Sequence, residues 1–169
     1  MPDEPFSLDR MYQAIEQHVF GNVPGLKAVT AWPDIKDRIP LPAMFIEMAE
    51  LEPGLDQGTG ETVLVARFEA RIVVDPIRAQ HHQQAAHLAA QLAVLLRFQT
   101  WGQPIEPAEF VQAMQDWTKP ELDGYTVWRV EWTHQIYLGV EEWPWPDEPP
   151  GSLVLNIDPG DGPVKPEDL

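Results

Sequence analysis

The stretch RAQHHQQAAHLAAQLAVLLRF, Arg78 to Phe98, carries three of the chain's five histidines, a residue type suited to holding a metal ion. Two histidines on a helix chelate together when they stand one turn apart, as in H-E-x-x-H. His82 and His87 are five residues apart and His81 and His87 six, which sets each pair roughly 120–140° apart around a helix axis. The adjacent His81 and His82 diverge as well. No metal is expected here, and the stretch reads as a packing helix.

Other reactive groups lead no further. His134 falls among the inward positions of an alternating strand, between Trp132 and Ile136, the setting of a hydrogen-bonded core histidine. The two serines, Ser7 and Ser152, lack a G-x-S-x-G elbow. DQGTGE has glycines but no lysine to complete a phosphate loop, and GDG lacks the other ligands of a calcium loop. Carboxylates such as Glu47, Glu50, Glu131, Glu141 and Glu142 are scattered through an acidic chain, with nothing marking the cleft a glycosidase pair would need. Neither an enzyme nor a cofactor is expected.

The chain has 169 residues, which suits one domain able to bury its own core. It has no cysteine, so thiol chemistry and disulfides are excluded. Eleven basic against 27 acidic residues give a formal charge of −16, which repels phosphate backbones and anionic lipid surfaces. MPDEPFSLDR does not resemble a secretory signal. The longest apolar-rich run, Ala85 to Leu96, falls well short of the roughly 20 residues of a membrane span. A soluble protein is expected.

The elements that position these residues follow from periodicity. FSLDRMYQAIEQHVFGN predicts a helix capped by Ser7, with Met11, Ile15 and Val19 on one stripe and a stop at Gly21. LKAVTAW and AMFIEMAELE read as strands, and PGLDQGTG as the long loop of a hairpin. In ETVLVARFEARIVVD, the face Leu64, Ala66, Phe68, Ala70, Ile72 and Val74 is core, while Arg67, Glu69 and Arg71 face outward. Asp75 and Pro76 look like the cap and first turn of the histidine helix, whose Ala85, Leu88, Ala89, Leu92, Leu95 and Leu96 can lie on a sheet. Phe110, Met114 and Trp117 at helical spacing predict a further short helix. In YTVWRVEWTHQIYLGV, Trp128, Val130, Trp132, Ile136 and Leu138 point inward and Arg129, Glu131, Thr133 and Gln135 outward.

From Pro144 onward the composition changes to seven prolines and six acids against one lysine, too little apolar content to fold alone. The expected organisation is a domain over 1–143 and an arm over 144–169. Within the arm, SLVLNI is a short apolar segment able to add as a strand to a sheet edge on a neighbour. Trp143 and Trp145, just after the last strand, either anchor on another chain or fold back on their own domain.

LPAMFIEMAELEP, GTGETVLVARFEARIVVD, AAHLAAQLAVLLRFQTWGQPIEPAEF and PELDGYTVWRVEWTHQIYLGV together resemble the tail terminator, or tail-completion, proteins of tailed bacteriophages and prophages, over about Leu8 to Trp143. The resemblance implies an α/β (α+β) subunit with a mixed, largely antiparallel sheet of long strands on two main helices. Six copies would form a ring that stops growth of the tail tube and joins the tail to the head connector or neck protein. It implies no enzyme activity and no cofactor. The location would be the virion tail, after assembly in the host bacterial cytoplasm.

A partner or subunit interface is then expected at Glu52, Leu55, Asp56 and Glu61 in the hairpin loop, at Arg67, Glu69 and Arg71, and at Trp143 and Trp145. DNA would be only passing cargo through an acidic lumen. The alternative from another class is an acidic inhibitor or immunity-type protein covering the basic site of a toxin or nuclease, which accounts for the charge equally well.

Overall fold

The structure is a computed structural model and describes residues 6–32 and 39–140. Helix α1 (Leu8–Asn22) leads to β1 (Ala28–Ala31), the hairpin β2 (Ala43–Pro53) and β3 (Thr62–Val74), helix α2 (His81–Leu95), β4 (Glu109–Gln115) and β5 (Thr126–Leu138). The sheet order is β1-β2-β3-β5-β4, with β1 parallel to β2 and every other pairing antiparallel. This is the α+β architecture expected from the sequence.

β3 and β5 form the spine, paired without a break from Thr62 opposite Leu138 to Val74 opposite Thr126. Period-two alternation puts Ala66, Phe68, Ala70 and Ile72 of β3 on the same face as Val130, Trp132 and Ile136 of β5. Both helices cover that face. Ser7 caps α1 through its Oγ, and Met11, Ile15 and Val19 are buried as the stripe predicts. α2 contributes Ala85, Leu88, Ala89 and Leu92, small and branched side chains that let it lie close to the strands.

Two expected elements differ. Residues 109–115 form a strand, not a helix, because pairing with β5 overrides the local pattern. The helical stripe read there is not buried: Phe110 is 50% exposed, Met114 42% and Trp117 77%. A bulge between Phe110 and Gln112 interrupts the alternation that would have marked the strand. The histidine helix starts at His81, not at Asp75. Asp75 instead closes a turn, its Oδ1 accepting from the Ile77 N–H and its carbonyl from the Arg78 N–H, and Gln80 at φ 59° redirects the chain into the helix.

Candidate functional site

Beyond the helix-covered face, the reverse face of the sheet holds the densest polar chemistry of the described residues. Arg71 reaches three carboxylates, with Nη1 2.6 Å from Glu47, Nη2 2.7 Å from Glu69 and Nε 2.7 Å from Asp116. Arg129 joins Asp116 at 3.4 Å to Glu131 at 2.7 Å. Arg67 links Glu131 to Glu50, and Lys119 lies 3.2 Å from Glu47. Five carboxylates thus meet four cations, so this face is close to neutral within a chain of charge −16. Burial alone would raise the Asp116 carboxyl, but hydrogen bonds from Thr118 and Arg71 outweigh it and hold the group below its ordinary value.

This lattice changes the reading of one residue expected at an interface. Arg71 is only 3% exposed, its donors turned sideways along the sheet and not outward. Arg67 and Glu69 are half-buried in the same network. The alternation rule named the face correctly, but it says nothing about lateral ion pairs that close the face over.

The hairpin tip is a surface of a different kind. β2 divides at a bulge between Met48 and Glu50, where the Met48 N–H donates to the Tyr12 hydroxyl at 2.7 Å. Before it, Ala43 to Ile46 are buried; after it, Ala49 to Pro53 are exposed. Leu55 at the tip is 76% exposed, Leu51 is also open, and Glu52 and Asp56 face solvent while Glu61 is half-buried. The structure therefore gathers Glu52, Leu55, Asp56 and Glu61 at one end of the sheet. Trp143 and Trp145, and with them the start of the arm, lie outside the described residues.

Gly54 sets the base of that tip. Its N–H donates to the Val63 carbonyl at 2.8 Å, and a Cβ there would fall 2.6 Å from Val63 Cγ1. Gly54→Ala should cost about 1–3 kcal/mol through this overpacking. The measurement is the urea midpoint, and an unchanged midpoint would mean that the loop relaxes freely.

His134 is the best-built polar group inside the molecule. Its Nε2 accepts from two indole N–H groups, Trp101 at 2.9 Å and Trp132 at 3.1 Å. Those partners assign the proton to Nδ1, which donates to the Glu106 carbonyl at 2.8 Å. The core-histidine reading holds, with a partner that the sequence did not reveal: Trp101 sits in a loop at φ 57°. Burial pushes the imidazole below its ordinary value of 6.5, against an opposing contribution from the Glu106 bond. The unfolded chain therefore binds this proton at higher pH than the folded one. Stability should be full above pH 6.5 and fall as the pH drops below it, by no more than about 1.4 kcal/mol per pH unit. Urea midpoints between pH 8 and 5 test this, and His134→Gln should flatten the slope.

His87 stands apart from the other two helix histidines, but His81 and His82 do not diverge as expected: their ring centroids lie 4.2 Å apart, tilted by 39°, because both side chains bend toward each other at the first turn of α2. His81 Nδ1 meets the Thr126 hydroxyl at 2.6 Å, and exposed His87 meets Gln91. Among the described residues, no group of three or more histidines and carboxylates is arranged to hold a metal. The chain matches no protein-family model and no curated protein. Among the described residues no helix is long and apolar enough to cross a membrane.

A feature not anticipated from the sequence is an open cleft of about 820 Å³ at the other end of the sheet, floored by Phe45, Val73 and Leu122 and edged by Ile77 and Tyr125. Its signal was present in Phe45, Val73 and Val127, apolar residues on the otherwise polar face. What the chain offers is therefore surfaces: an acidic, leucine-bearing tip, an apolar cleft and an apolar edge strand.

Proposed function

We propose that this chain is a tail terminator subunit of a tailed phage or prophage. In that role six copies form a ring on the tail tube, stop its growth and present the joining surface for the head connector. The observation that carries the reading is the outer end of the β2–β3 hairpin, where Ala49 to Pro53 of β2 are exposed and Leu51 and Leu55 are displayed. A leucine-bearing tip held rigid by β5, which pairs with β3 up to Thr62, fits a contact with a neighbouring subunit. The four sequence phrases that resemble tail terminators span this hairpin, α2 and β5, and so support the same reading.

Light scattering after size exclusion, across a concentration series with and without tail tube protein, tests it. The expected result is a species of six times the 19.2 kDa subunit mass, ring-shaped by electron microscopy. A strict monomer under all of these conditions overturns the ring and favours the acidic inhibitor.

Within the ring, the tip acids would line the passage for DNA and keep it from sticking. Glu52→Gln, Asp56→Asn and Glu61→Gln together should leave the ring mass unchanged and slow DNA ejection. Virions with unaltered ejection and infectivity would remove the acidic lumen from the proposal.

A further inference from the structure

The outer edge of β4 is open, since β4 ends the sheet. It displays Phe110, Val111 and Met114, with Trp117 just beyond, all at least 42% exposed. Edge strands of this kind are usually blunted by lysine or proline, because their free N–H and C=O groups recruit another strand. Between Glu109 and Gln115 there is neither, only the bulge and the single charge of Glu109. Beside this edge the indole N–H of Trp128, the register partner of Gln115, is buried without an acceptor among the described residues. Such a surface calls for an occupant.

We infer that residues 152–157, SLVLNI, of one copy add as a sixth strand to the β4 edge of a second copy. Charge favours the match. Two chains of −16 each can meet closely only where charge is sparse, and SLVLNI carries none. Pattern favours it too. Phe110 pairs with Trp132 on the helix-covered side of the sheet, and Met114 with Arg129 on the reverse side. A strand with Leu153, Leu155 and Ile157 on the helix-covered side and Val154 on the reverse side would set the first three along the row of Phe110, Ala113 and Gln115, and Val154 beside Met114.

Chain direction, not reach, favours a second copy. Residues 141–151 hold Pro144, Pro146, Pro149 and Pro150, a composition that favours extended polyproline geometry at about 3.1 Å per residue, or roughly 34 Å over eleven residues. The near end of the chain's own edge, Glu109, pairs with Thr133, seven residues before Val140 and so roughly 23 Å back along β5. Reaching it requires a reversal that a proline-rich spacer resists. The inference concerns contacts between copies of any stoichiometry and does not depend on the tail terminator reading.

The absence of cysteine allows a direct test in the full chain. Two differently tagged copies are co-expressed, one with cysteine in place of Glu109, Gln112 or Met114 in turn, which lie on the reverse side of the sheet, the other with Val154→Cys, and oxidised gently. The expected product is a disulfide joining the two tags at one of the three edge positions. Leu155→Pro, which removes a ladder donor, should reduce it at least about tenfold. Far-UV circular dichroism should show the domain still folded.

Four outcomes would overturn the inference. These are no cross-link at any position, a cross-link indifferent to Leu155→Pro, and dimers of the edge variant alone, which would mean that two β4 edges pair directly. The fourth is a disulfide forming only within one chain when both cysteines share it, which would place the segment on its own edge.

Discussion

Arg71→Ala should lower the stability of the folded chain by about 3–5 kcal/mol, the range for breaking a buried ion pair from one side. Among the described residues the guanidinium is the only group bonded to all of Glu47, Glu69 and Asp116, and Asp116 is itself almost fully buried. Removing the cation leaves that carboxylate in a low-dielectric site with only Arg129, 3.4 Å away, and Thr118 as support. Arg71→Lys should recover little, because one ammonium cannot reproduce three donors aimed in three directions. Combining Arg71→Met with Asp116→Leu should regain only part of the loss, since it removes the most buried carboxylate but leaves Glu69 and Glu47 without the guanidinium.

Urea unfolding of the four proteins decides it, and a loss below about 1 kcal/mol for Arg71→Ala would mean that water reaches the network. Acid should act in the same direction. Because the folded Asp116 carboxyl lies below its ordinary value of 3.8, its contribution is complete above that pH and is lost as the pH falls through the folded value.

Trp132→Ala should cost a similar amount, about 3–5 kcal/mol, by the general scale for large-to-small core changes. Trp132 is fully buried, stacks on Phe68 with ring centroids 5.8 Å apart, and donates to His134. Truncation would open a cavity between the helices and the sheet and leave His134 Nε2 with the Trp101 indole alone. Trp132→Phe separates the two contributions. It keeps most of the ring volume and drops the hydrogen bond, so its loss should be nearer 1 kcal/mol. Equal losses for the two variants would show that the indole N–H, not the packing, carries the site.

Much of this was legible in the sequence because strict alternation needs no knowledge of partners. The inward set of β3 and that of β5, His134 included, could be assigned from period two alone. WTH at 132–134 also puts the indole and the imidazole on one face, the first half of the buried triad. Its other half, Trp101, comes from a loop, where no periodicity applies. β4 was hidden by its bulge and by the accident that Phe110, Met114 and Trp117 fit a helix. The proposed ring and the proposed docking of residues 152–157 would depend on other chains, about which one chain's periodicity is silent.

The position of β5 between β3 and β4 also has a meaning for the order of folding. β3 meets β2 across an eight-residue loop, so that hairpin can form as soon as it leaves the ribosome. The other side of β3 must wait while α2, β4 and the turn at Pro120–Leu122 are made, because the strand that fills it comes last among the described elements. Until then Phe68, Ala70 and Ile72 have no partners on β5, and a nascent chain at this stage is the form most exposed to mispairing. Contacts so distant in sequence also slow closure. The last of these strands therefore acts as the commitment step, after which the sheet edges, the cleft and the hairpin tip are the surfaces of the described residues left open to other chains.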